Sequence, residues 1–254
     1  MVEFVLYLYI FIVGLVIGSF LNVVIWRTPR GASVARGRSM CPACGHTLRA
    51  ADLVPVASWI CLRGRCRYCG VPIAARYPLV ELLGGALALL CALRFGFTWA
   101  TPAYFAFLCA LVCLSFIDAD TMEFPGVLLW ALAALAVGCA FADPAESWLS
   151  RGVGFLCVSA PMALLTLLIR DCFGGGDVKL IAVCGFVLGW RRTLLAAFLA
   201  ILLGGIYGAA LLLMKQKKRT DHFAFGPFIA LGAAAALFYG DEMIAAYLGW
   251  FGLA

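Results

Sequence analysis

Charged side chains are scarce in this sequence of 254 residues, making up 13% of it against about a quarter in an ordinary soluble domain. With 65% of the chain hydrophobic, that shortage excludes a water-soluble globular fold. The sequence also lacks the ten-residue stretches of alternating polarity that a membrane barrel needs. Its apolar residues run in long unbroken blocks, enough for roughly eight helical spans of about 20 residues each. Two more things are missing. No cation precedes the first apolar run and no small-residue cleavage site follows it, so this run reads as a retained span with its N-terminus outside. No glycine-rich turn of the usual nucleotide-binding kind follows a predicted strand. The fold class expected is therefore an all-α polytopic membrane protein with about eight transmembrane helices.

Hydropathy and the breaks made by glycine, proline and charge put the spans near 4–26, 77–93, 98–117, 126–141, 152–170, 178–190, 193–214 and 225–251. The net charge of +6 is concentrated in two places. Nine arginines lie between Arg27 and Arg76, where Asp52 is the single acid, and a second cluster holds Lys215, Lys217, Lys218 and Arg219. Cation-rich loops of this kind face the cytoplasm. The excess is thus explained by topology, with membrane lipid as partner and no nucleic acid. The short span at 178–190 is expected to be tilted or buried by its neighbours. No internal repeat is evident along the chain.

What is present in the long loop is cysteine. Cys41-Pro42-Ala43-Cys44 and Cys66-Arg67-Tyr68-Cys69 form two CxxC pairs, with Gly45 and Gly70 just after them. Two such pairs can converge four thiolates on zinc, as in a zinc ribbon. Free thiols or a disulfide pair are the alternative, and a reducing compartment disfavours the disulfide. Cys61 falls outside the pattern, and His46 is a weaker substitute ligand. A loop of this size has little core, so metal binding is expected to supply much of its folding free energy.

Acids near a membrane point to function because burying a carboxylate is costly. Two clusters stand at the same face: Ile117-Asp118-Ala119-Asp120 at the end of the third span, and Gly174-Gly175-Gly176-Asp177-Val178-Lys179-Leu180 at the start of the sixth. Two carboxylates brought together can share one proton, so that one activates water while the other polarises a scissile carbonyl. Asp177 could equally be a plain helix N-cap, and Asp118 and Asp120 could be solvated. Asn22 and Glu81 are polar residues inside spans near the same face. Each could orient a peptide amine, or pair with an arginine or a backbone group.

At these residues the chain resembles the type IV prepilin leader peptidase family of bifunctional membrane aspartic proteases and N-methyltransferases. The resemblance runs through Gly18-Ser19-Phe20-Leu21-Asn22-Val23-Val24, both CxxC pairs, Arg76-Tyr77-Pro78-Leu79-Val80-Glu81-Leu82, the two acid clusters and Phe225-Gly226-Pro227-Phe228. It implies Asp118 and Asp177 as the catalytic pair and Cys41, Cys44, Cys66 and Cys69 as metal ligands. One motif departs. The family usually reads leucine-proline-aspartate after the first aspartate, and this chain reads Glu123-Phe124-Pro125-Gly126.

The resemblance further implies three regions: a first transmembrane helix at 1–26, a zinc-binding loop at 27–76 that is the candidate methyltransferase region, and a membrane protease domain at 77–254. The implied activity is cleavage of a basic leader from type IV prepilins or type II secretion pseudopilins, after a glycine, at the cytoplasmic face of the bacterial inner membrane. Methylation of the new N-terminus from S-adenosylmethionine would follow. The competing reading is a membrane transporter with a regulatory zinc knuckle and an aspartate ion relay. Acids at the ends of spans, away from the midplane, speak against it.

Overall fold

The computed structural model describes residues 2–169, 173–214, 223–250 and 252. Arg170 and the second basic cluster, Lys215 to Arg219, lie outside the described residues. Nine helices are described: α1 (Val2–Arg27), α2 (Ala57–Cys61), α3 (Arg76–Phe95), α4 (Ala100–Thr121), α5 (Gly126–Ala142), α6 (Trp148–Cys157), α7 (Ser159–Leu168), α8 (Gly175–Leu213) and α9 (Gly226–Trp250). The only sheet-like pairing among the described residues is two isolated bridges. Among the described residues six stretches are long and apolar enough to cross a membrane, and α5 is a shorter apolar helix. The segments expected at 178–190 and 193–214 fall in one helix, α8, which breaks at Gly189 (φ 74°, ψ 167°), near the end of the first segment.

The chain divides into two compact units, the first ending at Phe105 and the second beginning at Ala106, within α4. In the first unit α1 packs on α3 through glycine. A Cβ on Gly14 would come within 2.6 Å of the Gly84 carbonyl, and one on Gly18 within 2.8 Å of the Glu81 Cα. Where lipid offers no hydrophobic drive, small residues let backbones approach and gather dispersion contacts. Asn22 adds a polar tie, its Nδ2 donating to the Tyr77 carbonyl at 3.1 Å.

The second unit uses the same device. Gly154 of α6 sits directly against Gly185 of α8, and Gly232 of α9 against the Ala196 carbonyl of α8. The span expected over 152–170 is instead two helices parted at Val158. Pro161 explains the break, since it has no N–H for the Cys157 carbonyl and its ring crowds that group.

The break at Gly189 frees carbonyls that would otherwise accept from residues four further on. Three of them, at Gly185, Phe186 and Val187, have a replacement donor. The Thr193 hydroxyl donates to the carbonyls of Gly185 (3.4 Å) and Gly189 (2.6 Å). Arg151 donates to Phe186 (3.3 Å), Val187 (3.0 Å) and Asp143 (2.6 Å). A bond from Thr193 to Gly185, eight residues back, requires the chain to turn sharply at Gly189, because an unbroken helix holds such residues about 12 Å apart. Arg151 reads in the sequence as an external flanking charge. It is 1% exposed and serves as the internal donor for this turn.

Candidate functional site

The four loop cysteines come together. The sulfurs of Cys41, Cys44, Cys66 and Cys69 all lie within 4.8 Å of one another, and those of Cys41 and Cys69 are 3.9 Å apart. Zn–S bonds of about 2.3 Å would put neighbouring sulfurs about 3.8 Å apart in a tetrahedron, so the cluster fits a zinc ion. The two halves are built alike. Gly45 donates to Cys41 (2.9 Å) and Cys41 to His46 (3.0 Å), while Gly70 donates to Cys66 (2.9 Å) and Cys66 to Val71 (2.8 Å). Bridges Met40–Thr47 and Arg65–Pro72 close the two turns. Gly45 (φ 67°) and Gly70 (φ 72°) take the left-handed backbone that closes each turn. The loop thus contains a local structural repeat with no counterpart elsewhere in the sequence.

The thiols are electrostatically unequal. Hydrogen bonding from the Cys44 backbone, opposed by burial and helped by Ala43 and the neighbouring sulfurs, lowers Cys41 to about 7. For Cys69 the Val71 backbone favours the thiolate, but burial and the sulfurs of Cys66, Cys44 and Cys41 outweigh it and push the group up to about 11. Binding a divalent ion would displace the protons of these thiols. Cys61 lies outside the cluster, on α2, and His46 is stacked on Tyr68 with ring centroids 3.6 Å apart.

Asp52, the loop's single acid, links the second knuckle to the segment between the knuckles. Its carboxylate accepts from Arg67 Nε (2.6 Å), the Tyr68 hydroxyl (3.0 Å) and the Arg49 backbone (3.1 Å). Arg67 foremost holds this carboxyl below the ordinary carboxylate range, against burial. Trp59 supplies the small core, donating from Nε1 to Ile73 (3.1 Å) and packing over Gly64. Arg27, at the end of α1, gathers the carbonyls of Ser33, Arg36, Gly37 and Arg38.

Glu81 pairs with a backbone group, one of the partners its sequence position leaves open. Its carboxylate accepts from the Val56 N–H at 2.7 Å. Val56 sits at φ 60°, ψ −50°, and Ala57 donates to Pro55 at 2.5 Å across it, a tight three-residue turn that β-branched residues rarely adopt. Glu81 therefore fixes the loop to α3.

The acids lie in the second unit. Asp118 belongs to the last turns of α4, which continues to Thr121, and is 3% exposed. The expected loop at 118–125 thus begins four residues later, while Asp120 on the same turn is exposed. Asp118 Oδ2 accepts from the Gly226 N–H at 2.9 Å. Asp177 stands in the first turn of α8, whose N-cap is Gly174. It is therefore not the cap. Its Oδ2 lies beside Gly174, and its buried Oδ1 meets no hydrogen-bond donor.

One aromatic ring joins these surroundings. A Cβ on Gly176 would run into Phe124, and one on Gly226 would come within 2.6 Å of Phe124 Cζ and 2.7 Å of Asp118 Oδ2. The residue preceding Asp177 and the residue whose N–H holds Asp118 therefore touch the same ring. Phe124 stood out in the sequence only as part of a departing motif.

These features define a polytopic helical membrane protein with a four-cysteine loop in one unit and two acids gathered around a glycine and phenylalanine cradle in the other. Residues 105–209 match the type IV leader peptidase family, and residues 12–95 match the bacterial peptidase A24 N-terminal domain. The chain is 41% identical to a prepilin leader peptidase/N-methyltransferase of Myxococcus xanthus, over 84% of this chain and 66% of the relative. A protein of the same description from Bacillus subtilis is 33% identical over 94% of this chain and 96% of the relative. One from Burkholderia pseudomallei is 38% identical over 90% and 84%. No solved structure matches. The chain belongs to the type IV leader peptidase family.

Proposed function

We propose that the chain removes the leader from a prepilin or pseudopilin, after a glycine, and methylates the N-terminus so exposed. The substrate's apolar stem lies in the inner membrane and its basic leader in the cytoplasm, so the bond to be cut lies at the level of the helix ends that carry Asp118 and Asp177. The observation that carries this reading is the shared cradle. In a chain of this family, the residue before Asp177 and the residue whose N–H holds Asp118 touch one ring, with one carboxylate oxygen bonded by that N–H and another buried without a donor.

The two acids take different roles. Asp118, hydrogen-bonded through Gly226, is the ionised partner and takes a proton from water. Asp177 carries the shared proton and donates a hydrogen bond to the scissile carbonyl as the water oxygen adds to it. Collapse of the tetrahedral species breaks the carbon–nitrogen bond, and a proton passes to the leaving amine. No hydroxyl or thiol of the chain acts as nucleophile.

Cys41, Cys44, Cys66 and Cys69 would hold zinc, which supplies a structural clamp for a loop with little core of its own. Methyl transfer draws on S-adenosylmethionine. The 27–76 region is the candidate for methyl transfer and the helical region after it for proteolysis.

The test mixes protein purified in detergent with a synthetic prepilin and methyl-labelled S-adenosylmethionine and follows product mass. Loss of the leader followed by gain of one methyl group supports the reading. An unaltered substrate from folded, zinc-loaded protein contradicts it.

A further inference from the structure

Phe124 lies on the short turn between α4 and α5, and that turn is held at several points. Met122 donates to the Asp118 carbonyl at 2.8 Å, the Thr121 hydroxyl donates to Ile117 at 2.8 Å, and the Glu123 N–H donates back to that hydroxyl at 3.3 Å. Met122 takes φ 55°, and Pro125 fixes the backbone entering α5. The ring is thus presented by backbone that is already tied down. It packs closely enough on Gly176 and Gly226 that neither could carry a Cβ without displacing it, yet it remains only half-buried.

Asp177 Oδ1 is buried and meets no donor among the described residues, so its hydrogen-bonding capacity is left for a shared proton or a donor from outside the chain. A ring touching the residue before Asp177 and the residue bonded to Asp118 lies beside both acids, and so beside the bond they would cut. Beside it the backbone is open: a Cβ on Gly175 would meet nothing within 4 Å. The acids are thus flanked by an aromatic ring held in place and, one residue before Gly176, by open backbone at Gly175.

We infer that Phe124 is a specificity-determining residue, the wall that limits the size of the substrate side chain flanking the scissile bond. The inference rests on the assignment of Asp118 and Asp177 as the cleaving pair. Its chemistry is steric and apolar. Side chains that fit against the ring face are accepted, and bulkier ones are excluded by contact with a ring that two glycine backbones prevent from retreating.

The test uses the full-length protein and peptides that differ only in the residue on either side of the cleaved bond, running from glycine through leucine to tryptophan. For Phe124→Leu and Phe124→Ala, the ratio of kcat/KM for the bulkiest substrate to that for the native one should rise, by about tenfold or more for Ala, because a pocket enlarged by several methylenes changes discrimination by that order. Phe124→Leu, which keeps an apolar side chain on the turn, should move the ratio in the same direction but less. A fall in all substrates by one common factor would mean that the ring merely supports the fold, and an unchanged ratio in both variants would also overturn the inference. Asp118→Asn and Asp177→Asn run on the same panel separate the two ideas. Cleavage surviving in those variants defeats the dyad assignment, whatever the Phe124 variants show.

Discussion

Replacing Arg151 with methionine removes a guanidinium while keeping most of its apolar stem. The structure gives that head three jobs, the carbonyls of Phe186, Val187 and Asp143. A buried carbonyl left without a donor costs about 1–3 kcal/mol. Asp143 stands at the end of α5, where water can substitute, so the loss falls mainly on Phe186 and Val187. About 3 kcal/mol is expected once the favourable burial of methionine is set against it. In a protein of this size that corresponds to a drop of about 6–12 °C in the unfolding midpoint, measured by thermal unfolding in detergent. Arg151→Lys should fall between, since one ammonium cannot reach every carbonyl that a planar fork reaches. A flanking surface charge would behave differently, with Lys equal to Arg and Met nearly neutral. If Arg151→Met unfolds at the wild-type temperature, the account of the Gly189 turn is wrong.

Purified protein should carry about one zinc per chain; Cys41→Ser or Cys69→Ser should lose it and Cys61→Ser should keep it, as metal analysis will report. Stripping the zinc with a chelator should unfold the loop and change Trp59 fluorescence while the spans stay folded. Asp52→Asn leaves the ligands in place but weakens the tie through Arg67 and Tyr68, so zinc should leave to a competing chelator several times faster than from wild type. An equal release rate would deny Asp52 its bracing role. The two activities should also separate. Asp177→Asn should still methylate a substrate supplied already cleaved, and disrupting the zinc loop should cost methylation more than cleavage. Failure of Asp177→Asn on pre-cleaved substrate despite normal zinc content would mean one shared site.

Long apolar runs were legible because a bilayer imposes one length scale, and the break near Gly189 showed as an Arg191-Arg192 pair between two runs. The cysteine pairs were legible because a tetrahedral ion dictates their spacing. The role of Arg151 was not legible for a physical reason: its partners are carbonyls near a break on another helix, and a carbonyl leaves no mark in sequence. Glu81 is similar, since its partner is the backbone N–H of a strained Val56. Asp118 and Asp177 stood out by type and depth. Their cradle did not, because Phe124 meets Gly176 and Gly226 only through tertiary packing, and a phenylalanine among many apolar neighbours carries no signal. The parting of α6 from α7 was written in Pro161 but masked by hydrophobicity on both sides.

The central claim is tested most directly by leader removal from a synthetic prepilin, followed by mass, in Asp118→Asn and Asp177→Asn proteins whose zinc content and thermal unfolding match wild type. The account predicts no cleavage by either, with Asp120→Asn retaining much of the activity. Cleavage near the wild-type rate by either of the first two would contradict it.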